Sequence, residues 1–459
     1  MLLFGAIMKK AASTLILISV LLITLFLVVR IPTSEAVSET PEQQWSRSYL
    51  GNGGRAIQTC DGGYAIVGMN ASMLFYPASE RAPILIKTDD SGAVQWRKTF
   101  QETGVAGVNS IVQTKDSGFA LSGSSIAPPI ISPVYSGWLI KTDAQGDIQW
   151  RKTFGPMESC YSIQTSDNGF VLVGTISNNV SSVDAVFVKI DSDGNILWDK
   201  TQTFNGDSPH VFPTDVVETD DGGYAVTGGW KGYFWLMKTD SDGNLLWNKT
   251  YDPVDTDKPL MFQSVSETED GGYILAGMHS GGLTMQDRTL VTQEGYFAWL
   301  VKADSQGNLQ WSQKYLSGFT GFSSAVQTSD GGYVAVGQHN RQALLVRTDA
   351  SGNLLSRDSY GGSAENESSR ASSVVLTSDG GFAVSGVLNA YSPTNAEGYQ
   401  ITPYVGNDVW LAKFAPESDA LPDNTSPDSV LTYVPVVPSV SAIAIVGASL
   451  FFYFKKRKH

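Results

Sequence analysis

A six-residue phrase, Thr-x-Asp-x-Gly-Tyr/Phe, recurs seven times in this 459-residue chain, and a chain that repeats itself at such a spacing has few ways to fold. The copies begin at Thr59, Thr114, Thr165, Thr219, Thr268, Thr328 and Thr377, so successive starts lie 55, 51, 54, 49, 60 and 49 residues apart. In the fourth copy a β-branched run, Asp215-Val-Val-Glu-Thr219, leads into Asp220-Asp-Gly-Gly223 and out through Tyr224-Ala-Val-Thr-Gly228. The two glycines can take positive φ, as a tight hairpin needs. Tyr233–Lys238 reads as a third strand, Thr239–Asn244 as a second turn and Leu245–Tyr251 as a fourth strand. Four short antiparallel strands per repeat, seven times over, predict an all-β fold: a seven-bladed β-propeller spanning 37–415.

The second turn also recurs, at Lys87–Trp96, Lys141–Trp150, Lys189–Trp198, Lys238–Trp247, Lys302–Trp311 and Arg347–Ser356. A seventh copy starts at Trp410-Leu-Ala-Lys413 and breaks at Phe414-Ala-Pro416, so the last repeat lacks its fourth strand. Gln43–Leu50, ahead of the first repeat, keeps the Trp-to-aromatic spacing of four: Trp45/Tyr49 beside Trp96/Phe100, Trp150/Phe154 and Trp311/Tyr315. This segment is expected to complete the last blade and close the ring. The basic residue on each third strand (Lys87, Lys141, Lys189, Lys238, Lys302, Arg347, Lys413) suggests a repeated structural pair, its nearest acidic partner being the turn two residues on. Gln58, Gln113, Gln164, Glu218, Glu267 and Gln327 share one inner-strand position that Leu376 breaks. They suggest a polar ring near the channel. Because Glu218 and Glu267 fill a slot that is elsewhere Gln, they read as scaffold rather than as a catalytic pair.

The ends read as membrane segments. Ala11–Val29 is apolar after Lys9-Lys10, and Ser34-Glu35-Ala36 suits a signal peptidase, so 1–36 is a signal peptide or an N-terminal anchor; Met8 is an alternative start. Val434–Phe454 is 21 residues without a charge, long enough to span a bilayer as a helix, with Lys455–Lys458 within a basic tail, 455–459. The positive-inside tendency keeps that tail in the cytoplasm and the repeats outside the cell membrane. Between them 416–433, rich in Pro, Asp and Ser, reads as a disordered stalk. Without 1–36 and the tail, 24 basic residues face 44 acidic ones, which disfavours nucleic acid and anionic lipid and suits a solvated exterior, cation-rich media or a basic partner; the partner expected outside the cell is a protein or glycan. Asn70, Asn179, Asn248, Asn366 and Asn424 stand in N-glycosylation sequons. Cys60 and Cys160 fall on non-adjacent blades, too far apart for a disulfide.

In a four-stranded blade the first and third turns share one face, and here those turns are uniform. The opposite loops vary in length, so the binding face is placed there. Its candidate ligand-face residues are Trp230, Tyr233, His279, His339 and Arg341, among loops that also carry Phe75, Tyr76, Tyr135, His210, Tyr391, Tyr399 and Tyr404. Asp191–Asn195 and Asp240–Asn244 look like part of a calcium loop, the one cofactor suggested. The Glu such a loop needs is absent, Lys200 and Lys249 standing in its place, so hairpin chemistry is the simpler account. No nucleophile–base pair, metal cluster or phosphate loop stands out. The reading is a membrane-anchored module for binding, adhesion or envelope structure. The alternative is an extracellular enzyme, glycan-active or quinone-dependent, with its site on the variable face.

The Asp-Gly-Gly-Tyr hairpin together with Lys-Thr-Asp-x-x-Gly-Asn-x-x-Trp resembles the repeat of archaeal and bacterial cell-surface β-propeller proteins, over roughly residues 43–415. That resemblance implies surface exposure and binding or envelope structure, not a reaction. The turn differs from the tryptophan-docking motif of quinoprotein dehydrogenases by one residue between Asp and Gly, and from the sialidase Asp-box by one between Gly and Trp.

Overall fold

The repeated phrase folds as the hairpin between the inner and second strands of each blade. In the fourth copy the Thr219 N–H donates to the Gly223 carbonyl, and Asp221 Oδ1 accepts from Thr219 Oγ1 and from the Gly223 N–H. Gly222 takes φ +78°, in the left-handed region. A Cβ on Gly223 would lie 2.1 Å from the Thr239 carbonyl oxygen. The first glycine is thus needed for handedness and the second for room. Where the first is replaced, Ser117 and Asn168 adopt φ of 65° and 69° instead.

This computed structural model describes residues 41–70, 82–101, 105–127, 134–179, 182–202, 211–230, 233–251, 262–280, 284–286, 289–291, 296–361, 367–391 and 408–416. They form seven four-stranded antiparallel sheets, the blades of a β-propeller. The inner strands are Asn52–Gln58, Val105–Gln113, Glu158–Gln164, Pro213–Glu218, Phe262–Glu267, Thr320–Gln327 and Glu367–Leu376. Each lies against the next, and the seventh against the first. The seventh sheet has the order Gln43–Leu50, Asp408–Phe414, Phe382–Tyr391, Glu367–Leu376; its outer strand pairs with the third from Gln43↔Phe414 to Leu50↔Asp408. A small hairpin, Thr284–Gln286 with Thr289–Val291, sits between the second and third strands of blade 5. The segments read from the sequence as a signal peptide or anchor (1–36), a stalk (416–433, beyond Pro416), a membrane span (434–454) and a basic tail (455–459) lie outside the described residues. Among the described residues no helix is long and apolar enough to cross a membrane.

Second and third strands are buried on both faces, as in Tyr64–Met69 and Pro83–Thr88, and the core runs between blades rather than within them. Three devices recur around the ring and fasten a blade to its neighbour or to its own turn. The outer-strand tryptophan reaches the next blade: Trp96 stands edge-on to Phe119 at 5.9 Å and covers Gly146, whose added Cβ would meet the indole at 2.7 Å. Trp45, Trp150, Trp247 and Trp311 do the same over Gly92, Gly194, Gly307 and Gly352, and Trp198 covers Gly243 with its ring tilted against Tyr224. The inner-strand Gln or Glu side-chain oxygen accepts a backbone N–H from the blade before it: Cys60 to Gln113, Lys115 to Gln164, Ser166 to Glu218, Asp220 to Glu267, Glu269 to Gln327 and Ser378 to Gln58.

The third device corrects an expectation. The third-strand lysine does not pair with the acidic turn two residues on; it reaches the Asp of its own blade's first hairpin. Lys87–Asp61, Lys141–Asp116, Lys238–Asp221 and Lys302–Asp270 are each 2.8 Å apart, Lys189–Asp167 2.7 Å and Lys413–Asp379 2.9 Å. Register decides this. Lys238 lies opposite Ala225, one residue into the second strand, so its side chain runs under the hairpin that precedes that strand. The lysine side chain is only 4–6% exposed, and its ammonium also donates to a strand-end carbonyl, Thr239 in blade 4. The carboxylate and the carbonyl offset the cost of desolvating a buried ammonium.

Candidate functional site

The loop-face residues fare unequally. His279 is not on an exposed loop. The second strand of blade 5 runs on to Ser280, and His279, 4% exposed, is stacked on Phe234 at 5.6 Å with Trp299 edge-on at 4.9 Å. It is a core residue. His339 and Arg341 do share one hairpin, Asn340-Arg341, with φ of +45° and +73°, the two-residue turn that matches strand twist. His339 is half-buried; its Nδ1 meets Thr320 Oγ1, and Asn340 Nδ2 is 3.1 Å from Nε2. Burial and the nearby Arg357 charge push the imidazole pKa down, so the ring is neutral at pH 7. Exposed Phe319 bonds Asn340 through its backbone N–H and carbonyl, its ring edge-on to Tyr296 at 6.0 Å. Trp230 and Tyr233 pair across the blade-4 hairpin backbone. Tyr135 is half-buried. Phe75, Tyr76, His210, Tyr399 and Tyr404 lie outside the described residues, as do the side chains of Trp230, Tyr233 and Tyr391.

Of the sequons, Asn70 is exposed, its Oδ1 accepting from the Ala82 N–H. Asn248 is half-buried on the outer strand of blade 4, and Asn179 ends the second strand of blade 3. Asn366 and Asn424 are outside the described residues. In the two calcium-like turns both carboxylate oxygens of Asp191 and of Asp240 are taken by Asn195 and Asn244 of the same turn, the signature of an Asx hairpin. Among the described residues no group of three or more His, Cys, Asp or Glu is placed to hold a metal. Glu218 and Glu267 serve as blade clamps, the role their shared slot suggests.

The channel holds a site that the linear reading passed over. Just before the inner-strand clamp every blade carries a register shift, between Val108 and Ser110 or between Pro213 and Asp215, for example. A bulge of this kind re-aims the next side chain. That residue stands three before the clamp position. In blades 2, 5, 6 and 7 it is Ser110, Ser264, Ser324 and Ser373. Each of these hydroxyls accepts the N–H of Ser162, Ala325, Val374 or Ala56 on the following blade. In blades 1, 3 and 4 the slot holds Arg55, Tyr161 and Asp215 instead, and these three converge. Arg55 Nη1 is 3.7 Å from Asp215 Oδ1, across three blades, and Arg55 Cζ lies 5.6 Å from the centre of the Tyr161 ring. Asp215 keeps the seam bond, its Oδ2 accepting the Val265 N–H at 3.2 Å. Burial raises the Asp215 carboxyl against the opposing Arg55 charge, and burial likewise raises the Tyr161 phenol. Aligning the seven inner strands by their clamp residue exposes the three departures; reading the copies only for what they share conceals them.

No family model matches the chain, and no curated protein matches it. Among solved structures it is similar to a polysaccharide lyase at 9% identity, with 84% of this chain and 95% of that one covered and a TM-score of 0.48. It is also similar to a protein of unknown function from Dyadobacter fermentans (10% identity, 81% and 99% covered, TM-score 0.46) and to quinohemoprotein alcohol dehydrogenase from Comamonas testosteroni (12%, 85% and 78%, 0.44). At these identities the similarity concerns fold alone.

Proposed function

We propose that the chain is a membrane-anchored, cell-surface binding scaffold, related in kind to the prokaryotic surface propellers whose repeat it resembles. The supporting observation is how the repeat's polar residues are used. Thr, Asp, Lys and Gln of the shared phrases are engaged in hairpins, ion pairs and blade clamps, so the uniform face is scaffold and variation is left to the opposite loops. We also read the pairing of Gln43–Leu50 with Asp408–Phe414 as the closure of the ring, which sets the start of the propeller beside its end.

Two native cysteines make the location testable. Cys60 is exposed on the uniform face and Cys160 is buried. A membrane-impermeant maleimide added to intact cells is expected to label one cysteine, and Cys60→Ser is expected to abolish the label. Labelling that requires lysis would put the propeller on the other side of the membrane and end the surface reading.

A further inference from the structure

The slot occupied by Arg55, Tyr161 and Asp215 does two jobs that serine does not. Asp215 uses one oxygen as the serines do, to hold the next blade, and turns the other toward Arg55. At 3.7 Å that contact is a long ion pair. The charges offset each other while the guanidinium's fork of five N–H donors and the remaining carboxylate lone pairs keep hydrogen-bonding capacity. Both groups are half-buried, their side chains 30% and 19% exposed, as Ser324 and Ser373 are in the same slot, whereas Ser110 and Ser264 are buried. A separate cavity of about 570 Å³ on the uniform face, lined by Ile57, Gln58, Gln113 and Ser378 among others, includes none of the three.

The chemistry of this girdle selects its ligand. An anion attracted to Arg55 meets Asp215, and a cation attracted to Asp215 meets Arg55. A neutral group that both donates and accepts satisfies the two together, and a tyrosine ring alongside offers a flat apolar surface for C–H groups. Vicinal hydroxyls on a ring have these properties. We propose that Arg55, Tyr161 and Asp215 form a channel site for a neutral polyol, a single hexose residue of a glycan, with one hydroxyl accepting from Arg55 and its neighbour donating to Asp215. This goes beyond the surface-scaffold reading and does not depend on which side of the membrane the propeller stands.

The test uses the full chain in detergent, with methyl α-glucoside, methyl α-mannoside and methyl β-galactoside as probes and sodium acetate as the charged control, read by saturation-transfer NMR and titration calorimetry. Two variants accompany it. Asp215→Asn keeps an oxygen for the Val265 N–H. The triple change Arg55→Ser, Tyr161→Ser, Asp215→Ser gives every blade the residue that four blades already use, so the ring is expected to fold. At least one glycoside should bind with a millimolar or tighter Kd, and both variants should weaken it at least about tenfold. The proposal is overturned if no glycoside binds, if acetate binds in preference, or if the triple variant binds sugar as the native chain does. A triple variant that melts lower than the native chain, in a protein that binds no glycoside, would make the trio a cross-link between blades.

Discussion

Single residues show how the repeat is used and where it lapses. Three departures from the consensus fall at one seam, between blades 6 and 7. Ser356 stands where the other outer strands carry Trp, and the next blade has no third turn for a Trp to cover, because its third strand ends at Phe414 and runs into Ala415-Pro416. Phe382, which would have met that Trp, stacks on Phe414 at 4.9 Å instead. Leu376, 45% exposed, takes the clamp position and offers no acceptor to blade 6. Leu376→Gln should restore the clamp to the Ser329 N–H and stabilise the chain by about 0.5–1.5 kcal/mol, seen as a higher urea midpoint at unchanged slope. An unchanged or lower midpoint would show that the seam is not limited by the missing bond.

Strands are the scale at which the two ends of the chain depend on each other. Gln43–Leu50 brings Trp45 over Gly92 and edge-on to Tyr64 at 5.5 Å, and the Tyr49 hydroxyl donates to the Gly92 carbonyl at 2.7 Å. Tyr251 and Tyr315 make the same bond to Gly307 and Gly352, so the N-terminal strand repeats the contacts of an ordinary outer strand. Deleting it leaves Asp408–Phe414 as a bare edge. A chain beginning at Gly51 is expected to lose on the order of 3 kcal/mol or more through the two aromatics alone, and to form oligomers by edge pairing that light scattering detects. A monomer with native melting behaviour would refute the closure reading.

Across the whole molecule the ion pairs act together. For Asp61, Asp116, Asp167, Asp221, Asp270 and Asp379 burial alone would raise the carboxyl; the lysine, threonine and glycine donors outweigh it and hold the group low, to about 2 in Asp167, Asp221, Asp270 and Asp379. A folded-state pKa below the unfolded value of about 3.9 adds stability that is complete above that value and is lost as pH falls through the folded one. Asp215, Glu267 and Asp358, raised by burial, work in the opposite sense. Melting temperature should therefore hold from pH 7 to 5 and fall between about pH 4 and 2. A profile flat to pH 2 would show that the pairs add nothing net.

The repeat count, the hairpin chemistry and the order of strands were legible in the chain because they follow from local periodicity and from turn residues with few conformational alternatives. Clamp residues were legible as positions but not as partners. Nothing in the order of residues says that Gln113 serves the turn at Cys60, or that Lys238 runs under the hairpin before its neighbouring strand; register and the approach of the next blade decide that. His279 was misplaced because a strand's length depends on what packs against its end, here Phe234 and Trp299, which lie 45 residues before it and 20 after it in the chain. Arg55, Tyr161 and Asp215 each look unremarkable within one repeat. Only the ring, which carries three inner strands around one channel, sets a guanidinium from blade 1 beside a carboxylate from blade 4.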